Sequence, residues 1–359
     1  MHPLRAPLHA IGCVLGTLAP LTLGACLGDL PSPSRVDDLR ILAVRAEPPE
    51  APPGAAVALD ALVVDPQGRL ITYHWYACVL PESGQGFFGG GSETQTSGGN
   101  GAALDDDAEG SSCIAKVAAN RPYALDLGTA PSATLPIPSD FFATDEPLRT
   151  AYELPESLAL PPEVRDLFLG IAGVNYTVTL VAEVDGRRVE ATKRVNVSLD
   201  SLLPDNARNL NPTDLAIHLA PQDDADDATP PTRAAPPADQ SCFVGVPTTS
   251  PTALALANDT RYVLTPINLP DPRTSYVVLL AGTTTTQPFE IQTTQEYAFY
   301  SFFATVGGFQ KTVSRAPGEP ATEWSLAKDE SGPADLWVVL RDGRGGVAWC
   351  HSPLLLAPP

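Results

Sequence analysis

Few residues in this chain can do covalent or acid–base chemistry. There are six cysteines (Cys13, Cys26, Cys78, Cys113, Cys242, Cys350) and five histidines (His2, His9, His74, His218, His351). With so few histidines, a Ser-His-Asp relay has little material. No HExxH, CxxC or His-x-His spacing offers a transition-metal site. The carboxylate runs Asp105-Asp106-Asp107 and Asp223-Asp224-Ala225-Asp226-Asp227 lack the alternation of a calcium loop and read as solvated charge. Gly89-Gly90-Gly91 is followed by no GK[ST], so it is a flexible tip and not a phosphate cradle. Nothing selects a carboxylate pair for sugar hydrolysis. The expectation is a protein with no catalytic residues, no cofactor and no bound metal.

The thiols have other uses. Cys26 lies in LTLGACLGDLPSPSR, residues 21–35. Ahead of it stand one cation, Arg5, and an apolar run from Ala10 to Ala25, the layout of a secretory signal peptide. Leu23-Gly24-Ala25-Cys26 resembles the bacterial lipobox. That resemblance implies cleavage before Cys26, a diacylglycerol on its thiol and an acylated amine, and with two or more acyl chains anchoring is stable. Leu27 after the Cys implies the outer membrane in lipoproteins of this kind. The alternatives are a transmembrane helix that keeps Cys26, which Gly12, Gly16, Pro20 and Gly24 disfavour, and an ordinary signal with a chance cysteine. Pro31, Ser32, Pro33 and Ser34 then read as an extended tether.

Cys78, Cys113, Cys242 and Cys350 remain for the exported body. An even count in such a chain points to disulfides. Three pairings are open, and free buried thiols are the alternative. Only Cys78–Cys113 with Cys242–Cys350 keeps each bridge inside one half of the chain. The first would close a Gly- and Ser-rich stretch that contains Phe87-Phe88. Two aromatics there have no core of their own; they dock as a lid or present an apolar tip to a partner.

Positioning these residues falls to strands. Proline is 38 of 359 residues, about twice the usual share, which works against long helices and central strands. Short runs rich in Val, Thr and Leu recur: 36–49, 55–65, 69–80 and 175–199, the last a hairpin turning at Asp185-Gly186. The second half repeats the order. TDLAIHLAPQ (213–222) echoes DDLRILAVRAEP, EYAFYSFFATVGGF (296–309) echoes TYHWYACVL, and RDGRGGVAWC (341–350) echoes VDGRRVEATK. One stretch, 160–172, has helical spacing after Pro161-Pro162.

A strand with a central aromatic and a nearby Cys, Trp75 and Cys78, plus a closing hairpin resembles immunoglobulin-like domains. RDGRGG followed by VAW is similar to the final hairpin of Ig-like and PKD-like repeats, although the PKD hallmark run is absent and Thr305 stands where a second Cys would. The chain as a whole resembles Ig-like lipoproteins of bacterial envelopes. The resulting expectation is an all-β protein. It has a signal peptide at 1–25, a lipidated tether at 26–35, an Ig-like antiparallel β-sandwich with one short helix at 36–203, a linker at 204–212 and a second such sandwich at 213–359. Asp205, Asn206, Asn209 and Asn211 give that linker oxygen ligands. It resembles the calcium-binding linkers of cadherins, with a plain Asx-turn linker as the alternative.

The formal net charge is −20, which excludes nucleic acid as a partner. The implied partners are the bilayer, through acylated Cys26, and an envelope protein or glycan. A lipid-anchored, non-enzymatic envelope protein for binding, adhesion or spacing is the expectation. The alternative is a ligand- or glycan-binding accessory subunit of a transport or attachment system.

Overall fold

The computed structural model describes residues 32–81, 112–154, 161–199, 208–213, 215–222, 242–243, 254–267, 275–284 and 287–358, with side chains described outside 278–291. Cys26, Phe87, Phe88, Asp205, Asn206 and both aspartate runs lie outside these residues.

The first sandwich is built from β1 (Arg40–Glu47), β2 (Glu50–Ala51), β3 (Ala56–Val64), β4 (Thr72–Val79), β5 (Leu125–Gly128), β6 (Ala133–Pro136), β7 (Val174–Val184) and β8 (Arg187–Val197). One sheet has the order β1-β3-β6, the other β2-β8-β7-β4-β5. Side-chain alternation sorts each strand. On β4, Trp75, Ala77 and Val79 enter the core, where they meet Leu135, Phe141, Tyr176, Val178, Leu180 and Val195. The buried Trp75 indole donates to the Ala130 carbonyl at 3.0 Å, which meets the need of its N–H.

The second sandwich holds β9 (Ile217–Pro221), β10 (Leu254–Leu256), β11 (Arg261–Pro266), β12 (Ser275–Thr284), β13 (Gln287–Gln295), β14 (Ala298–Ala304), β15 (Gly308–Phe309), β16 (Val313–Ala316), β17 (Thr322–Ser325), β18 (Gly332–Arg341) and β19 (Val347–Leu356). Its sheets run β15-β17-β11-β9 and β10-β19-β18-β14-β16, and β12-β13 pair only with each other. The larger sheets correspond position for position. Each ends in a short strand, β2 or β10, that is parallel to its neighbour, while the other pairings in these two sheets are antiparallel. The three sequence echoes fall on equivalent places: β1 and β9, β4 and β14, and the β7–β8 and β18–β19 turns. Trp75 and Phe302 are each fully buried at matching points. Two facing sheets in this order make an Ig-like sandwich, present twice.

Three helices occur among the described residues where one was expected. α3 (Pro162–Ile171) is the expected one; α1 (Cys113–Ala118) and α2 (Glu146–Tyr152) are additional. The two additional helices each span fewer than two turns, too short for a 3.6-residue period to register. α1 is started locally, with the Ser112 hydroxyl accepting from the Ala115 N–H at 3.1 Å, an N-cap arrangement.

Beads on a flexible string would be the simplest reading of tandem domains, and the structure differs. Ser32–Pro359 is a single compact unit. Val36, Leu42 and Ala43 of the first half form one apolar cluster with Phe303, Trp337, Val339 and Val347 of the second, with Leu62, Val64 and Trp349 packed around it. The outer face of β1 and β3 thus lies on the outer face of β14, β18 and β19. The tether also ends sooner than expected. Ala304 donates to the Ser34 carbonyl at 3.0 Å and Val36 donates to the Ala304 carbonyl at 2.9 Å. Ser34 and Val36 are each 1% exposed. Ser34 and Arg35, counted as tether at the sequence level, therefore form a parallel β-bridge with Ala304 of the second sandwich.

Candidate functional site

Both disulfides are formed in the domain-local pairing, Cys78–Cys113 and Cys242–Cys350. The first straps α1 onto the outer face of the five-stranded sheet of the first sandwich, where Lys116 donates to the Val79 carbonyl at 3.2 Å. The second ties the segment beside β9 to β19, and Ile217 donates to the Cys242 carbonyl at 2.7 Å.

Two side-chain clusters stand out. The first is a polar hub where the β18–β19 turn of the second sandwich meets the first. Asp342 is 4% exposed; its Oδ1 accepts from the backbone N–H of Arg344 and of Gly346, each at 2.8 Å. Asn209 Nδ2 donates to Asp342 Oδ2 at 3.0 Å. Arg344 pairs with Glu296 at 2.9 Å and Glu50 at 3.3 Å, and its guanidinium sits 4.6 Å from the Tyr276 ring centroid. Lys193, 1% exposed, donates to the Gly345 carbonyl. Burial pushes the Glu296 carboxyl up despite Arg344 beside it, and burial likewise raises the Tyr276 phenol. Gly346 is obligatory here: a Cβ would stand 2.1 Å from Asp342 Oδ2.

The hub engages two of the linker asparagines, Asn209 and Asn211, while Asp205 and Asn206 lie outside the described residues. Asn211 Nδ2 donates to the Ala46 carbonyl and to Glu47, each at 2.6 Å, and its Oδ1 accepts from the Val347 N–H at 2.8 Å. These two amides bond protein groups. Among the described residues no group of three His, Cys, Asp or Glu side chains is placed to share a metal ion. Lys193 was passed over at the sequence level, although a signal existed. It is a charge at a core-facing position of β8, opposite Val178 of β7, which breaks the alternation and calls for a partner.

The second cluster lies on the outer face of the sheet β2-β8-β7-β4-β5. His74 and Tyr76 project outward from β4, their rings stacked at 4.2 Å. His74 Nε2 lies 3.0 Å from Asp126 Oδ1, and the Tyr76 hydroxyl 2.9 Å from His74 Nδ1. Asp126 Oδ1 also accepts from the Gly128 N–H at 2.9 Å. That amide, and then His74, holds the Asp126 carboxyl below its ordinary value. The order Asp–His–Tyr has the connectivity of a relay. Its end member is pushed toward the neutral phenol by burial first and by Asp126 next. Arg188 and Glu190 form an ion pair on the neighbouring part of the face.

No protein-family model and no curated protein matches the sequence. Solved structures give three distant likenesses. Salmonella alpha-2-macroglobulin is 8% identical, with 90% of this chain and 16% of that chain covered and a TM-score of 0.22. The tandem Ig repeats of Dlar are 7% identical, covering 90% of this chain and 100% of that chain at a TM-score of 0.21. The D0-D1 domain of intimin is 8% identical, covering 88% and 98% at a TM-score of 0.17. The chain spans less than a quarter of the alpha-2-macroglobulin. At such scores these likenesses assign no function, and the Ig-like description rests on the strand order above.

A matching histidine occurs on the second sandwich. His351 Nε2 lies 2.7 Å from Asp335 Oδ1, and its ring stacks on Trp337 at 5.3 Å. Both His74 and His351 face away from the core of their own sandwich. Trp337 is committed to the interdomain core, so of these two histidine–aromatic stacks the open one is on the first sandwich.

Proposed function

We propose that this is a lipid-anchored, non-enzymatic protein of the bacterial cell envelope, held in the outer membrane through acylated Cys26, whose paired Ig-like sandwiches bind an envelope partner. The observation that carries the reading is the shared apolar core of Leu42, Phe303, Trp337 and Val339. It makes the pair one scaffold and turns the outer sheet face around His74, Tyr76 and Asp126 away from the interdomain contact. A single scaffold with one open, preorganised polar face suits recognition better than a flexible spacer. The test is in-cell crosslinking from the membrane fraction with the wild type, Cys26→Ser and Tyr76→Ala side by side. One stoichiometric partner, lost in both variants, is expected. A partner that is captured equally well by Tyr76→Ala would rule out this face. A Cys26→Ser chain that still sediments with membranes would rule out the anchor.

A second reading, glycan binding, is favoured by the His74–Tyr76 stack beside the exposed Asp126 carboxylate. Rings flanked by a fixed acceptor are what a saccharide uses. Glycan-array binding by the wild type that is absent in Asp126→Asn would select it.

A further inference from the structure

Chain order puts the first sandwich next to the anchor. The attachment of Ser34 and Val36 to Ala304 of the second sandwich points the other way. We infer that the second sandwich is the membrane-proximal domain and that the bilayer faces its pole formed by Pro333, Pro353 and Leu355; this rests on the lipid-anchor reading of Cys26.

The argument begins with length. Residues 27–31 separate Cys26 from Ser32, five residues, and six Cα steps reach at most about 20 Å. Ser34 and Val36 are then fixed to Ala304 by two backbone hydrogen bonds, and Arg35 pairs with Glu330 at 2.8 Å. The chain is thus fastened to the second sandwich before the first begins. Ala304 ends β14 opposite Leu336 of β18, so the residues of β18 before Leu336, and those of β19 paired with them, extend past it toward the same pole.

From there the chain climbs away. Arg40 lies over Phe303 at 5.5 Å, Arg341 donates to the Leu42 carbonyl at 3.0 Å, and Arg45 lies over Trp349 at 4.6 Å. Glu50 reaches Arg344 in the turn at the far end of β18 and β19. The first sandwich is therefore displaced toward the end opposite the tether.

The pole has a surface fit for a lipid headgroup layer. Pro333 pairs with Leu355 and Asp335 with Pro353. Leu355 is 49% exposed, and both prolines are exposed. They continue the sheet face that carries the Trp337–Val339 core contact, beyond the part that β1 and β3 cover. Asp335, opposite Pro353, puts a carboxylate on this face, so the fit is to zwitterionic headgroups brought close by the short tether.

The experiment uses the acylated full chain in phosphatidylcholine vesicles containing a nitroxide-headgroup lipid. A fluorophore is attached through a click-reactive amino acid at Leu355 or, separately, at Thr192 on the outer face of β8. At least threefold stronger quenching at 355 than at 192 is the expected result. Equal quenching, or stronger quenching at 192, overturns the orientation. The mass of the mature chain is read in parallel. A mass without acyl groups overturns the anchor reading and the inference with it, whereas an acylated chain with equal quenching leaves the anchor standing and removes only the orientation.

Discussion

Arg344 and Glu50 stand 294 positions apart in sequence and 3.3 Å apart in space. Their pairing joins the last hairpin of the second sandwich to the second strand of the first. Because Arg344 also holds Glu296 and covers Tyr276, its removal leaves two carboxylates in a largely dehydrated hub. Removing one partner of a buried pair costs more than the pair contributes. Arg344→Ala should lose about 2–3 kcal/mol. Calorimetry should then show the single transition of the wild type broadening or splitting in two. An unchanged single transition would mean that the apolar contact alone couples the domains.

The two disulfides close loops of different size, with sequence separations of 35 and 108. In the chain-entropy picture their loss costs about 4 and about 5 kcal/mol. Replacing Cys242 and Cys350 together by Ala should therefore lower the urea midpoint more than the same change at Cys78 and Cys113. Nonreducing peptide mapping checks the pairing itself.

Acid should weaken the end of the first sandwich where three turns meet. Asp38 is held below the ordinary aspartate value chiefly by the Leu39 N–H, with Arg69 and Arg187 adding to it. Asp65 is held low chiefly by the Arg69 side chain. A carboxyl whose folded pKa lies below its unfolded one stabilises fully above about pH 4, and that contribution is lost as pH falls toward the folded value. Arg69→Met should lower stability at pH 7, and the two stability curves should converge below pH 4 in urea titrations. Glu296 acts with the opposite sign. Its carboxyl is raised by burial, so stability falls as pH rises from about 4 through that raised value.

Two tyrosines carry hydroxyls that find no partner among the described residues, Tyr176 and Tyr300. They sit in the separate cores of the two sandwiches, and burial raises both phenols. A buried, unsatisfied hydroxyl is a net cost. Tyr176→Phe and Tyr300→Phe should each be neutral or stabilise by up to about 1 kcal/mol. A loss beyond that would reveal a hydrogen bond from another part of the chain.

Much of this was legible in the sequence. Alternation and turn residues marked the long strands of the first sandwich, and three echoes in order marked the duplication. Cysteine arithmetic gave the bridges, since only one pairing was local. The interdomain core was harder, because alternation says which face is apolar and not what that face meets. A trace existed even so. Leu336 to Leu340 is apolar at every position, as is Ala61 to Val64, and a strand without alternation is one buried on both faces. The hub was less readable still. Glu50, Lys193, Asn209 and Arg344 come from four distant places, and only Lys193 broke a local rule. On the open face, His74 and Tyr76 show two-residue spacing, but Asp126 is brought to them by the pairing of β5 with β4, which no local pattern announces.

The clamp of Val36 on Ala304 also bears on how the chain matures. Val36, Leu42, Glu50 and Lys193 all find their partners between Ala304 and Gly345. A chain made amino end first can close its first sandwich early, but it cannot seat it until β18 and the turn after it have been made. A product truncated before β18 would bare the apolar side of β1 and β3 together with a lysine and a glutamate made to be covered. Seating of the first sandwich is thereby tied to the arrival of β18 and β19, and the apolar side of β1 and β3 stays open until then.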